Sequence, residues 1–206
     1  MKKQLSFLAS TLLLITSNTL SAQDKANELL RQVAQSIANH KSIELSFTYQ
    51  NVYSDANQIE EEKNGFAYFQ GEAYKVILED TQNISDGTTK WAYLIDVDEV
   101  MVSNAESEDN PIKYLSELEN ESTAKTKGTD ANGNLVIEIC DTDGDPVGLV
   151  LKFNKKGDFK GLEMDFGEGE SLILNVTGIK FDQTYPEGFF SFDEKAHPNV
   201  EVIDMR

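Results

Sequence analysis

Ser42-Ile43-Glu44-Leu45-Ser46-Phe47-Thr48-Tyr49-Gln50 is the stretch on which the reading of the chain turns. Ile43, Leu45, Phe47 and Tyr49 alternate with Glu44, Ser46, Thr48 and Gln50. Successive side chains of a strand point to opposite faces, so this alternation predicts a half-buried β-strand. Most of the downstream sequence reads the same way. Strands are expected over 66–69, 74–78, 135–141, 147–153, 159–166 and 171–181, with Trp91, Tyr93 and Ile95 on another and 99–103 on the next. Gln70-Gly71-Glu72, Asp130 to Asn134, Asp143-Gly144-Asp145, Asn154 to Gly157 and Gly167-Glu168-Gly169 separate them, and such Gly/Asn/Asp clusters make hairpin connections. Strands at this close spacing predict an antiparallel meander.

Two segments break the pattern. Upstream, Ala26, Leu29, Leu30, Val33 and Ile37 recur at helical spacing, with Asp24 expected as the cap and an end near Asn39-His40. Between strands, Pro111 stands at a plausible first helical position, and Ile112, Leu115 and Leu118 repeat every three residues. The expected fold class is therefore mainly β (α+β): a long twisted antiparallel sheet with helices covering one face. A sheet of this length curls, and its concave side needs a cover.

The start of the chain reads as an export signal. Met1, Lys2 and Lys3 precede an apolar run from Leu5 to Ile15, and Leu20-Ser21-Ala22 offers a small residue at the cut. Residues 1–22 are expected to be a signal peptide and residues 23–206 a single domain. The apolar run is too short to span a bilayer, and no cysteine adjoins the cut to carry acyl chains. A periplasmic protein without its own lipid anchor is expected. Cys140 is the sole cysteine, so no internal disulfide forms; in Leu135 to Cys140 it reads as a buried strand residue.

The net charge is −18. So acidic a chain is repelled by nucleic acid and by anionic membrane surfaces, and stays soluble even with exposed apolar area. Nor is an enzyme expected. His40 and His197 are the two histidines, and no Gly-x-Ser-x-Gly, His-Glu-x-x-His or phosphate loop occurs. No catalytic residue, cofactor or metal is assigned. Asp141-Thr142-Asp143-Gly144-Asp145 alternates carboxylates around a glycine, but lacks the distal glutamate of a calcium loop and suits a hairpin.

Five segments, in order, resemble the LolA family of periplasmic lipoprotein carriers. They are Ser42 to Gln50, Gly65-Phe66-Ala67-Tyr68-Phe69, Ile84-Ser85-Asp86-Gly87-Thr88-Thr89-Lys90-Trp91-Ala92-Tyr93, the helix from Asn110, and Phe190-Ser191-Phe192 with His197-Pro198-Asn199-Val200-Glu201-Val202-Ile203-Asp204. The third is the most specific, and together they span nearly the whole of residues 23–206. The resemblance implies an incomplete antiparallel β-barrel with a helical lid. It also implies a monomer that takes lipoprotein acyl chains from an inner-membrane exporter, holds them in an apolar cavity and delivers them to an outer-membrane acceptor. A lipid-binding sensor or adaptor of the same half-barrel is the alternative, a hydrolase a remote one. One departure is visible: where family members carry a basic residue after the second strand, this chain has Gln70-Gly71-Glu72.

Period-two alternation and apolar character select Phe47, Tyr49, Trp91, Tyr93, Leu149, Leu151, Phe153, Leu162, Met164 and Phe166 as the expected cavity-lining face. Ile112 and Leu115 are expected to close it from the lid.

Overall fold

The computed structural model describes residues 21–53, 58–106 and 109–206. The expected signal peptide lies outside the described residues except for Ser21 and Ala22. Helix α1 (Ala22–Asn39) starts one turn earlier than its apolar stripe suggests. Ser21, not Asp24, is the N-cap. Its Oγ accepts the Asp24 N–H at 3.1 Å, and the Asp24 carboxylate accepts the Ser21 N–H at 3.2 Å. This reciprocal pair satisfies two backbone donors that a helix start leaves unpaired, which is why Asp24 sits inside the helix.

Seven strands follow: β1 (Ile43–Tyr53), β2 (Gln58–Ile59), β3 (Lys63–Gln70), β4 (Ala73–Ile77), β5 (Thr81–Ser85), β6 (Thr89–Leu94) and β7 (Glu99–Asn104). Helix α2 (Pro111–Glu121) intervenes. Then come β8 (Thr123–Thr129), β9 (Leu135–Cys140), β10 (Pro146–Phe153), β11 (Phe159–Gly167), β12 (Glu170–Phe181) and β13 (Glu201–Asp204). All thirteen belong to one sheet, ordered β13-β7-β6-β5-β4-β3-β1-β12-β11-β10-β9-β8, with β2 beside the end of β1. The expected meander is present as two runs, β3 to β7 and β8 to β12. They are sewn together by β1, which pairs antiparallel with β3 on one side and β12 on the other. The last strand departs from the pattern: β13 runs parallel to β7.

The sheet is curled and unclosed, since its terminal strands β13 and β8 do not pair with each other. The chain leaves β7, one strand in from the β13 edge, through α2 and re-enters at the opposite edge as β8, so α2 crosses the concave side. Its entry is firmly held. Asn110 caps it by accepting the Ile112 N–H at 3.1 Å, and the Asn110 amide donates to the carbonyls of Gly71 and Glu72 at 3.3 and 3.4 Å. Lys113 pairs with Glu72 at 3.3 Å. The Gln70-Gly71-Glu72 turn, which carries no basic residue, thus holds α2 through an acidic one.

Two packed clusters fill most of the concave side. In one, Ala26, Leu29 and Leu30 of α1 and Leu118 of α2 sit on Ala124, Ile137, Ile139, Leu149, Leu151 and Phe153 of β8 to β10. In the other, Ile43, Phe47 and Tyr49 of β1 pack with Ala67, Phe69 and Tyr74 of β3 and β4. Gly65 serves the second cluster: any Cβ there would lie 2.3 Å from the Phe47 ring. Helix α2 bridges the two, with Leu115 against the first and Ile112 against the second.

Candidate functional site

Between the two clusters the concave side is not filled. A cleft of about 550 Å³ opens there, floored by β1, β12 and the β10–β11 hairpin and roofed by the two helices. Its apolar lining comes from Val33 and Ile37 of α1, Ile112 and Leu115 of α2, Ile43 and Leu45 of β1, Phe153 and Phe159 of the hairpin, and Val176, Ile179 and Phe181 of β12. The amphipathic stripe of α1 explains the hollow. Its first half buries Leu29 and Leu30 in the core, while Val33 and Ile37, on the same stripe, stand over the gap. Ile179 and Phe181 are 36% and 37% exposed, unusual for large apolar residues on an inner face.

The far end of the cleft is framed by the α1–β1 junction. The His40 ring stacks on Phe181 with centroids 3.9 Å apart, and its Nδ1 lies 2.9 Å from Asp182 Oδ2. Asp182 Oδ1 accepts the Lys41 N–H at 2.8 Å. These bonds, His40 first, hold the Asp182 carboxyl below its ordinary range. Few polar groups enter the cleft: Gln32 and Ser36 from α1, Asp158 and Lys160 from the hairpin, and Thr177 from β12. Gln32 donates to Glu28, and Asp158 accepts from the Asn154 side chain at 2.8 Å within its own turn.

The residues selected from the sequence fall into four places. Ile112, Leu115 and Phe153 line the cleft. Phe47, Tyr49, Leu149 and Leu151 face the same side but are buried in the packed clusters, with Leu162 and Met164 half-buried against one of them. Phe166 lies past Leu162 and Met164 at a register shift near the end of β11 and is 56% exposed.

Trp91 and Tyr93 lie on the opposite, convex face. Trp91 pairs with Ile84, Ile84 with Lys75, Lys75 with Tyr68, and Tyr68 with Glu44, so these residues share a face with the outward Glu44. Tyr93 follows Trp91 by two residues. There Tyr93 and Trp91 pack with Ile84, Val100, Phe192 and Val200. The physical reason is register: a shift of one residue flips every side chain of a strand, and alternation alone does not say which way a strand faces. Conversely, the expected set lacks Val33, Ile37, Ile43, Leu45, Phe159, Val176, Ile179 and Phe181, all of which line the cleft. Leu45 and Ile37 carried a usable signal, being in the apolar sets of β1 and α1 from the outset.

No protein-family model matches the chain, and no curated protein matches it. Among solved structures, an uncharacterized conserved protein from Thermus thermophilus aligns with a TM-score of 0.51 at 12% identity, covering 86% of this chain and 97% of that one, and shares the fold. A LolA superfamily protein from Nitrosomonas europaea aligns with a TM-score of 0.41 at 9% identity over 82% and 98% of the two chains. A DUF1329 family protein from Desulfovibrio piger gives 0.41 at 10% identity over 85% and 99%.

Proposed function

We propose that this protein is a periplasmic acyl-chain carrier that holds its cargo in the cleft between α1, α2 and the β1–β12 floor. The observation that carries the reading is an apolar hollow of about 550 Å³ left between two well-packed clusters. That size falls within the roughly 300–1,000 Å³ typical of small-molecule sites. Allowing about 30 Å³ per methylene, the share of one water in the liquid, a sixteen-carbon chain needs roughly 480 Å³. One acyl chain fits.

The energetic need for such a sleeve is large. Each buried methylene contributes ~0.8 kcal/mol, so a sixteen-carbon chain loses roughly 12 kcal/mol on exposure to water. The cargo implied by the LolA resemblance is a lipoprotein, moved from an inner-membrane exporter to an outer-membrane acceptor. Release then requires that α2 compete with the cargo, so that loading is a shift between two lid positions. The size of the cleft favours a second cargo class, a free single-chain lipid, over the several chains of a lipoprotein.

Native mass spectrometry of the protein purified from the bacterial envelope tests the reading. The expected result is a bound mass corresponding to an acyl lipid or a lipoprotein. Protein at its bare mass, which also fails to bind a fluorescent fatty acid, would overturn it.

A further inference from the structure

Two β-bulges lie side by side in the floor of the cleft. On β11, Phe159 pairs with Phe153 and Gly161 with Lys152, leaving Lys160 as the extra residue. On β12, Gly178 pairs with Ser46 and Val176 with Phe47, leaving Thr177 as the extra residue. A bulge leaves its extra residue out of the ladder and re-aims its side chain. Counting back from the inward Leu162, Lys160 falls on the concave face. The bulge allows Phe159 to face inward as well. Gly161 makes room for this geometry, since a Cβ there would lie 2.1 Å from the Leu174 carbonyl oxygen.

Both polar residues that strands contribute to the cleft are therefore placed by an irregularity in the sheet. Lys160 is also unlike the other half-buried lysines. Lys63, Lys90, Lys113 and Lys152 pair with Glu79, Asp109, Glu72 and Glu163, and Lys75 lies over the Phe189 ring. The Lys160 ammonium makes no hydrogen bond or ion pair among the described residues. In a chain with 36 acidic and 18 basic residues, an unpaired, half-buried cation beside an apolar hollow is complementary to an anion.

We propose that the cleft takes a single-chain amphiphile with a carboxylate head, a long-chain fatty acid, whose head is held by the Lys160 ammonium. The inference rests on the acyl-chain reading above and adds the head group. One compact ammonium balances one negative charge, which a carboxylate supplies. Asp158, also at the cleft, disfavours a doubly charged phosphate monoester. Thr177 and Ser36 offer hydroxyl donors to the second carboxylate oxygen or to its water.

Calorimetric titration at pH 8 with dodecanoate, dodecanol and lysophosphatidylglycerol tests the proposal. Dodecanoate is expected to bind about tenfold more tightly than dodecanol, the advantage of a charge-assisted hydrogen bond at a half-exposed site. Lys160→Met should abolish that preference, so that the acid and the alcohol bind alike. Lys160→Arg should restore it, with thermal melts confirming that both variants fold. Equal binding of acid and alcohol by the wild type, or an unchanged preference in Lys160→Met, would overturn the head-group assignment and leave the cleft reading intact. A preference for lysophosphatidylglycerol would overturn the carboxylate. Failure of every chain to bind would remove the cleft reading, and the proposal with it.

Discussion

The two faces of the sheet treat their apolar residues differently. On the convex face, Trp91 and Tyr93 are covered by the chain's own C-terminal segment. Phe192 lies 5.1 Å from the Tyr93 ring, His197 stacks on Phe192, and Val200 completes the cluster. On the concave face, Leu45 and Ile179 are paired across β1 and β12 with equally apolar character, yet no side chain among the described residues fills the space above them. An apolar strand face is thus not in itself a binding site. It becomes one where the covering element stands off, as α1 and α2 do over the floor of the cleft.

The sharpest way to break this contrast is to truncate one residue on each face. Phe192→Ala should cost about 3–5 kcal/mol in urea unfolding, the range for deleting a packed aromatic. It should leave fatty-acid binding by the folded protein unchanged. Ile179→Ala, at the open cleft, should cost within about 1 kcal/mol, because water already reaches the site. Comparable losses at both positions would mean that the concave side is packed as tightly as the convex one.

A smaller effect concerns the roof. Asn110 is 2% exposed and joins the start of α2 to the β3–β4 turn. Asn110→Ala removes the cap and both links, with an expected cost of about 1 kcal/mol. Amide hydrogen exchange should accelerate across α2 and stay constant in β6 and β7. Uniform acceleration throughout the chain would show that α2 does not open by itself.

The smallest effect separates the filled part of the concave side from its hollow part. Burial of Tyr74 among Phe47 and Phe69 pushes its phenol up to about 12 from an ordinary 10.0. The fold therefore favours the neutral phenol. That contribution is whole below pH 10 and is lost as pH rises towards about 12. Over this window the wild type should lose stability more steeply than Tyr74→Phe. Parallel curves would place Tyr74 in contact with solvent.

Much of the fold was legible in the sequence. The alternation of β1, the Gly/Asp/Asn hairpins from β9 to β12 and the Asn110-Pro111 start of α2 all carry strong local signals. The strands left unread are β2, β5, β8 and β13. Thr81-Gln82-Asn83-Ile84-Ser85 and Thr123 to Thr129 are dominated by polar residues, and ladder partners rather than side-chain patterning define them. β13 is paired only along β7 and all four of its residues are exposed.

The site was legible only in part, and for a related reason. Alternation identifies two faces of a strand but not which is concave, so it puts Phe47 and Trp91 in one set although the structure separates them. Lys160 lay beyond sequence reasoning altogether, because strict alternation has no place for a bulge. Ile179 and Phe181 fall on the inner face only once the register with β1 is known.

Soaking a crystal of the protein with a terminally brominated fatty acid would locate the bound chain through the anomalous signal of bromine. One bromine site is expected, enclosed by Val33, Ile37, Leu45 and Ile179 under the two helices. Bromine on the convex face beside Trp91, or no ordered bromine at a saturating concentration, would contradict binding in the cleft.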